Sequence, residues 1–158
     1  MEDWLLRAET ICMECGGHCC DEAHPPVSSA CCERLTTAGV SPDVFEFVGY
    51  KRLKTRENGE CVLSKNGKCS IHAIKPETCR SGPFTFDMNG DMIAIYLKHE
   101  RICPIVGLLK EVPEAYQQQY DLAVRSITHL VRNLSEDELA VICAIEEPDT
   151  DKVAEIPR

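Results

Sequence analysis

Four cysteines stand within nine residues, Cys12, Cys15, Cys19 and Cys20, in the run CMECGGHCC. Thiols ligate zinc, iron and iron–sulfur clusters, act as nucleophiles once ionised, and pair into disulfides under oxidising conditions. Cys12, Cys15 and Cys19 follow an i, i+3, i+7 spacing, so a continuing helix would carry all three on one face. A turn at Gly16-Gly17 would instead aim backbone amides at thiolate sulfur and tune whatever the sulfurs hold. Cys19 and Cys20 point to opposite sides in extended backbone, so one can ligate while the other packs, reacts or serves a second centre. His18 lies inside the run, but with so many thiols at hand it is not needed as a ligand.

A second set follows in CVLSKNGKCSIHAIKPETCR, which supplies Cys61, Cys69 and Cys79, with Cys103 further on in RICP. Asn66-Gly67 predicts a tight hairpin that lets Cys61 and Cys69 face each other. Pro76 suits a helix start and places Cys79 in the first turn, where the helix dipole favours a thiolate. Arg80 adds positive charge beside it and is assigned to the bound cofactor, and Arg101 stands near Cys103 in the same way. A thiolate serves a metal and a nucleophilic mechanism equally, so this segment alone does not separate them.

The rest of the chain narrows the choice. With 158 residues, 44% hydrophobic and 27% charged, it is long enough to bury a core as a single small domain without covalent staples. A net charge of −9 opposes nucleic-acid and anionic-membrane partners and favours a redox or protein partner with a basic surface. The opening MEDWLLRAETICMEC lacks a basic, signal-like region, and no apolar run is long enough to span a bilayer, so a cytoplasmic protein is expected. There, eleven cysteines, an odd number, fit metal ligation or catalysis better than disulfides.

The elements that must position these thiols follow from local patterns. Trp4, Leu5, Ala8 and Ile11 predict a short helix running into the first cysteines. Ser41 and Pro42 read as the N-cap and first position of another. FTFDMNGDMIAIYL reads as a hairpin turning at Asn89-Gly90, with Phe84, Phe86 and Tyr96 as its core. The span 113–133 is the longest helix expected, and Ser135 with Glu138 forms a capping box before ELAVICAI, whose Cys143 reads as a packed core thiol. Cys31 and Cys32 read as buried small residues ahead of extra ligands or a redox pair, and His99 and His129 as surface histidines. The expectation is an α+β fold, mostly helical: one domain over 1–147 with a metal-organised cysteine core, one β-hairpin, a C-terminal helical pair over 113–145, and a frayed tail at 148–158.

These spacings resemble the CxxCxxCC cysteine-cluster family (YkgJ-type proteins), described as zinc- or iron-chelating and often labelled Fe–S oxidoreductases. The knot Cys12, Cys15, Cys19 and Cys20 matches its opening. Cys61, Leu63, Cys69, Ile71, Pro76, Cys79, Arg80, Pro83 and Phe84 match its middle, and Cys103-Pro104 its close, so the resemblance covers about residues 12 to 107. This chain departs from the pattern in its three-residue gap before Cys19, in His72 for tyrosine and in Lys75 for arginine. The resemblance implies a metal held by Cys12, Cys15, Cys19, Cys20, Cys61, Cys69, Cys79 and Cys103. A 4Fe-4S cluster in a redox or electron-transfer protein is favoured, with an Fe–S oxidoreductase as its enzymatic form. Zinc in a structural module for protein interaction is the alternative. A similar cysteine set in flagellin lysine methylases raises an Fe–S-dependent methyltransferase as a third reading, although no Gly-rich nucleotide-binding turn is present here.

Overall fold

The computed structural model describes residues 6–8, 10–11, 26–57, 62–65, 68–69, 77–144 and 149–158, with backbone alone at 64–65, 68–69, 78 and 80. The elements in chain order are α1 (Ser29–Thr37), a 3-10 turn (Pro42–Val44), β1 (Phe45–Phe47), β2 (Lys51–Leu53), β3 (Ser64–Lys65), β4 (Lys68–Cys69), α2 (Glu77–Ser81), β5 (Phe84–Asn89), β6 (Met92–Lys98), α3 (Ile105–Glu111), α4 (Pro113–Arg132), α5 (Glu136–Cys143) and β7 (Thr150–Pro157). Residues 6–8 and 10–11 are helical, in line with the expected N-terminal helix. The fold is α+β and roughly half helical. Among the described residues, no helix is long and apolar enough to cross a membrane.

The architecture rests on α4. Pro113 sits in its first turn, and Ala115, Ala123, Ile127, Leu130 and Val131 recur at helical spacing and are buried. That stripe packs on Ile93, Ile95 and Leu97 of β6, Phe84 of β5, Val106 and Leu109 of α3, and Leu139 of α5. Strands β5 and β6 pair antiparallel from Phe84↔Leu97 to Asn89↔Met92, so the two-residue loop is Gly90-Asp91, one step beyond the turn expected. Gly90 has φ +62°, where glycine escapes the Cβ clash. The capping box at α5 is complete: Glu138 N–H donates to Ser135 Oγ and Ser135 N–H to Glu138 Oε1, each at 3.1 Å.

Three sequence expectations need correction. The segment expected to fray forms β7, which pairs antiparallel with β6 from Met92↔Pro157 to Lys98↔Thr150 and makes β6 the central strand. Ala154 and Ile156 pack on the core, and Arg158 pairs with Glu136. The Ser41-Pro42 start caps a single 3-10 turn, because Phe45 and Phe47 then lead into β1. Hairpins were expected only at Asn66-Gly67 and at Asn89-Gly90, and the described residues add the strand pair β1–β2 to β3–β4 and β5–β6.

A second, smaller cluster surrounds α1. Val27, Cys31, Cys32 and Leu35 are buried, with Val40 and Phe45 packed against them. Ser28 caps the helix, its Oγ accepting the Cys31 N–H at 3.1 Å.

Candidate metal centre

Two of the eight expected ligands have described side chains. Cys79 is half-buried in α2, a helix of five residues that packs on α4 and touches β5. Cys103 is buried in the turn before α3, at 9% exposure, and its N–H donates to His99 O at 3.1 Å. Because α3 also packs on α4, both cysteines are carried by elements seated on one long helix. Cys69 is described by its backbone in β4, opposite Ser64. The strand pair flanking residues 66–67 forms as the Asn-Gly signal predicts, but Cys69 faces Ser64 within it and not Cys61. Cys12, Cys15, Cys19, Cys20 and Cys61, with the Gly16-Gly17 and Asn66-Gly67 turns, lie outside the described residues. The side chain of Arg80 does so too, although its backbone is helical in α2.

Among the described residues no three His, Cys, Asp or Glu side chains converge as a metal site. What the described part supplies is the scaffold for Cys69, Cys79 and Cys103. The donor type fits the metals at issue, since thiolates suit zinc and iron–sulfur centres and disfavour hard cations. Arg101 pairs with Asp149 at the start of β7.

Cys31 and Cys32 are buried in the α1 cluster, as small hydrophobes would be. Burial pushes the Cys31 thiol up to about 12, and the neighbouring Glu77 carboxylate adds to the rise. Arg34 opposes it, Nη2 donating to Cys31 Sγ at 3.6 Å. Burial likewise raises Cys32, against the pull of Lys51. Neither thiol is poised to ionise or to react near neutrality. Cys143 is half-buried at the end of α5, outside the core expected for it, and burial and then Asp87 raise its thiol, while a backbone bond at Met88 pulls the other way.

Sequence reading missed a buried carboxyl group close to an expected ligand. Glu77, two residues before Cys79, is 3% exposed. Its Oε1 accepts from Ser28 Oγ at 2.7 Å and lies 3.8 Å from His129 Nε2. Its Oε2 is buried with no hydrogen-bond partner among the described residues. Ser28 lies 49 residues away along the chain, and no local spacing signals such a pair.

Residues 11–104 match the family model CxxCxxCC, described as a "putative zinc- or iron-chelating domain". That span holds ten of the eleven cysteines, all but Cys143. No curated protein matches the chain, and no solved structure does.

Proposed function

Because this chain belongs to the CxxCxxCC family, we propose that it is a metal-chelating protein whose eight patterned cysteines supply the four thiolates taken by each iron–sulfur centre, of the 4Fe-4S type, used in electron transfer. The observation that carries this reading is the mismatch between the cysteine-bearing elements and their size. Cys69 ends a hairpin of two-residue strands, and Cys79 sits in a five-residue helix. Such pieces do not hold their shape in water by themselves, and a two-stranded hairpin is marginal at best. A thiolate-bound centre would join them and supply folding free energy where little apolar area is available.

The residues divide the work. Cys12, Cys15, Cys19, Cys20, Cys61, Cys69, Cys79 and Cys103 would be the ligands, and Arg80 would offset their charge. A bound cluster would supply one-electron chemistry at a potential set by its hydrogen bonds and burial. With nine net negative charges already on the chain, the matching partner is a redox protein with a basic surface. Zinc is the second reading, because the family's description names zinc beside iron and four thiolates suit it tetrahedrally.

Iron, zinc and acid-labile sulfide, measured on protein purified without oxygen, test the proposal. Iron with sulfide and a bleachable brown colour supports the electron-transfer reading. Zinc without colour replaces it with a structural module that binds other proteins. Absence of both metals overturns it.

A further inference from the structure

The first cysteine run ends at Cys20, and the next described residue is Pro26. There it is fastened at three successive residues. Pro26 bridges Arg52 in antiparallel fashion, Val27 N–H donates to Lys51 O at 2.9 Å, and Ser28 Oγ donates to Glu77 Oε1 at 2.7 Å. Only the third contact reaches across to the helix that carries Cys79. Ser28 is 1% exposed and Glu77 3%, so the bond is shielded from water.

Burying a carboxylate costs free energy that an apolar side chain of similar size would not. A role in fixing direction gives a physical reason for its presence. Glu77 and Cys79 lie two residues apart on α2, about 200° around a helix, so their side chains leave on opposite sides. Holding the Glu77 carboxylate toward α1 and α4 therefore turns Cys79 away from both. One rotational setting of α2 satisfies the bond, and that setting decides where the Cys79 sulfur points.

We propose that Ser28 and Glu77 are positioning residues: their buried hydrogen bond ties the segment after the first cysteine run to the helix bearing Cys79, and so sets both parts of the ligand pattern for the metal. The inference rests on the metal-chelating reading above. Groups that orient ligands typically contribute 10–100-fold to metal affinity.

The test compares full-length wild type with Ser28→Ala, Glu77→Gln, Glu77→Ala, the Ser28→Ala/Glu77→Ala pair, and Leu139→Ala as a core control in α5 far along the chain from the bond. Metal content is measured first. EDTA then extracts the metal at a temperature where circular dichroism shows each variant folded. Ser28→Ala and Glu77→Ala are expected to release metal at least about tenfold faster than wild type. The double variant should be no faster than the quicker single one, as for two partners in one bond. Glu77→Gln, which keeps an oxygen acceptor, should fall between. Leu139→Ala should melt earlier yet release metal at the wild-type rate. Ser28→Ala also removes the α1 cap, so should Glu77→Ala not fold, Ser28→Ala carries the test together with Glu77→Gln, which leaves that cap in place. Release at the wild-type rate from Ser28→Ala, or equal acceleration in Leu139→Ala, overturns the positioning role and leaves the metal reading intact. Wild type without metal overturns both.

Discussion

Around α4 the buried side chains are leucine, isoleucine, valine and alanine with Phe84 and Cys103, drawn from three helices, two strands and their flanking turns, whereas around α1 they are Val27, Cys31, Cys32 and Leu35 beside a buried carboxylate. The first region has enough apolar surface to fold by burial alone. The second has four clustered buried residues, with Tyr50 and Leu53 buried in its β1–β2 ribbon, so it has less apolar area to set against the conformational entropy of ordering short two-stranded ribbons. Cys31 and Cys32 are buried in the second region and Cys103 in the first, while Cys143 is half-buried outside both clusters. The comparison teaches that this chain uses two sources of order: hydrophobic burial where side chains are plentiful, and directional contacts, with the proposed thiolate–metal bonds, where they are not.

Stripping the metal should separate the two regions most sharply. With EDTA and reductant, or in Cys79→Ser, amides of 26–53 are expected to lose at least about tenfold in hydrogen-exchange protection, while those of β6 and α4 keep theirs. Equal loss in both regions would show one cooperative unit and break the comparison. Leu130→Ala, in the middle of the α4 stripe, should cost about 2–5 kcal/mol in urea unfolding, because the cavity is walled by rigid neighbours. Metal per folded molecule should not change. Ser135→Ala removes the Oγ that accepts the Glu138 N–H, leaves the Ser135 backbone N–H bond to Glu138 in place, and should lower stability by about 1 kcal/mol.

The effect confined to alkaline pH belongs to Cys31. Its folded thiol is raised from 9.0 to about 12, so the neutral form is favoured in the fold. That contribution is fully present below pH 9 and is lost as pH rises toward 12. Cys31→Ala should therefore flatten the alkaline limb of a stability profile measured across that window. In the native protein, Cys31 should resist alkylation at pH 8 on a timescale that modifies ordinary surface thiols. Fast labelling would place α1 among loosely held elements.

What could be read from the sequence divides along the same line. Helix α4, the α5 cap and the β5–β6 hairpin were legible, because a repeated apolar position, a Ser-x-x-Glu start and an Asn-Gly dipeptide are local signals. Strand β7 was not. Its TDKVAEIP places Lys152 and Glu155 as a surface ion pair and half-buries only Thr150, Ala154 and Ile156, so its alternation is faint. It is a strand because β6 offers an edge, a fact that lies more than fifty residues upstream of its last residue. The Ser41-Pro42 start was a true cap, but Phe45 and Phe47 decided what followed it. In the site, Cys79 and Cys103 could be named from spacing alone, whereas Glu77 became visible only through partners on α1 and α4.

Helix α2 rises about 7.5 Å, barely more than one turn, so it takes its tilt from the surface beneath it. That surface is α4, which lies wholly outside the cysteine pattern, and Gln119 on α4 donates to Gly82 O at 2.8 Å just past the end of α2. Variation along α4 can therefore retune the bearing of Cys79 while every cysteine stays in place. In heritable terms, the properties of the centre can drift through substitutions that a ligand motif would never register.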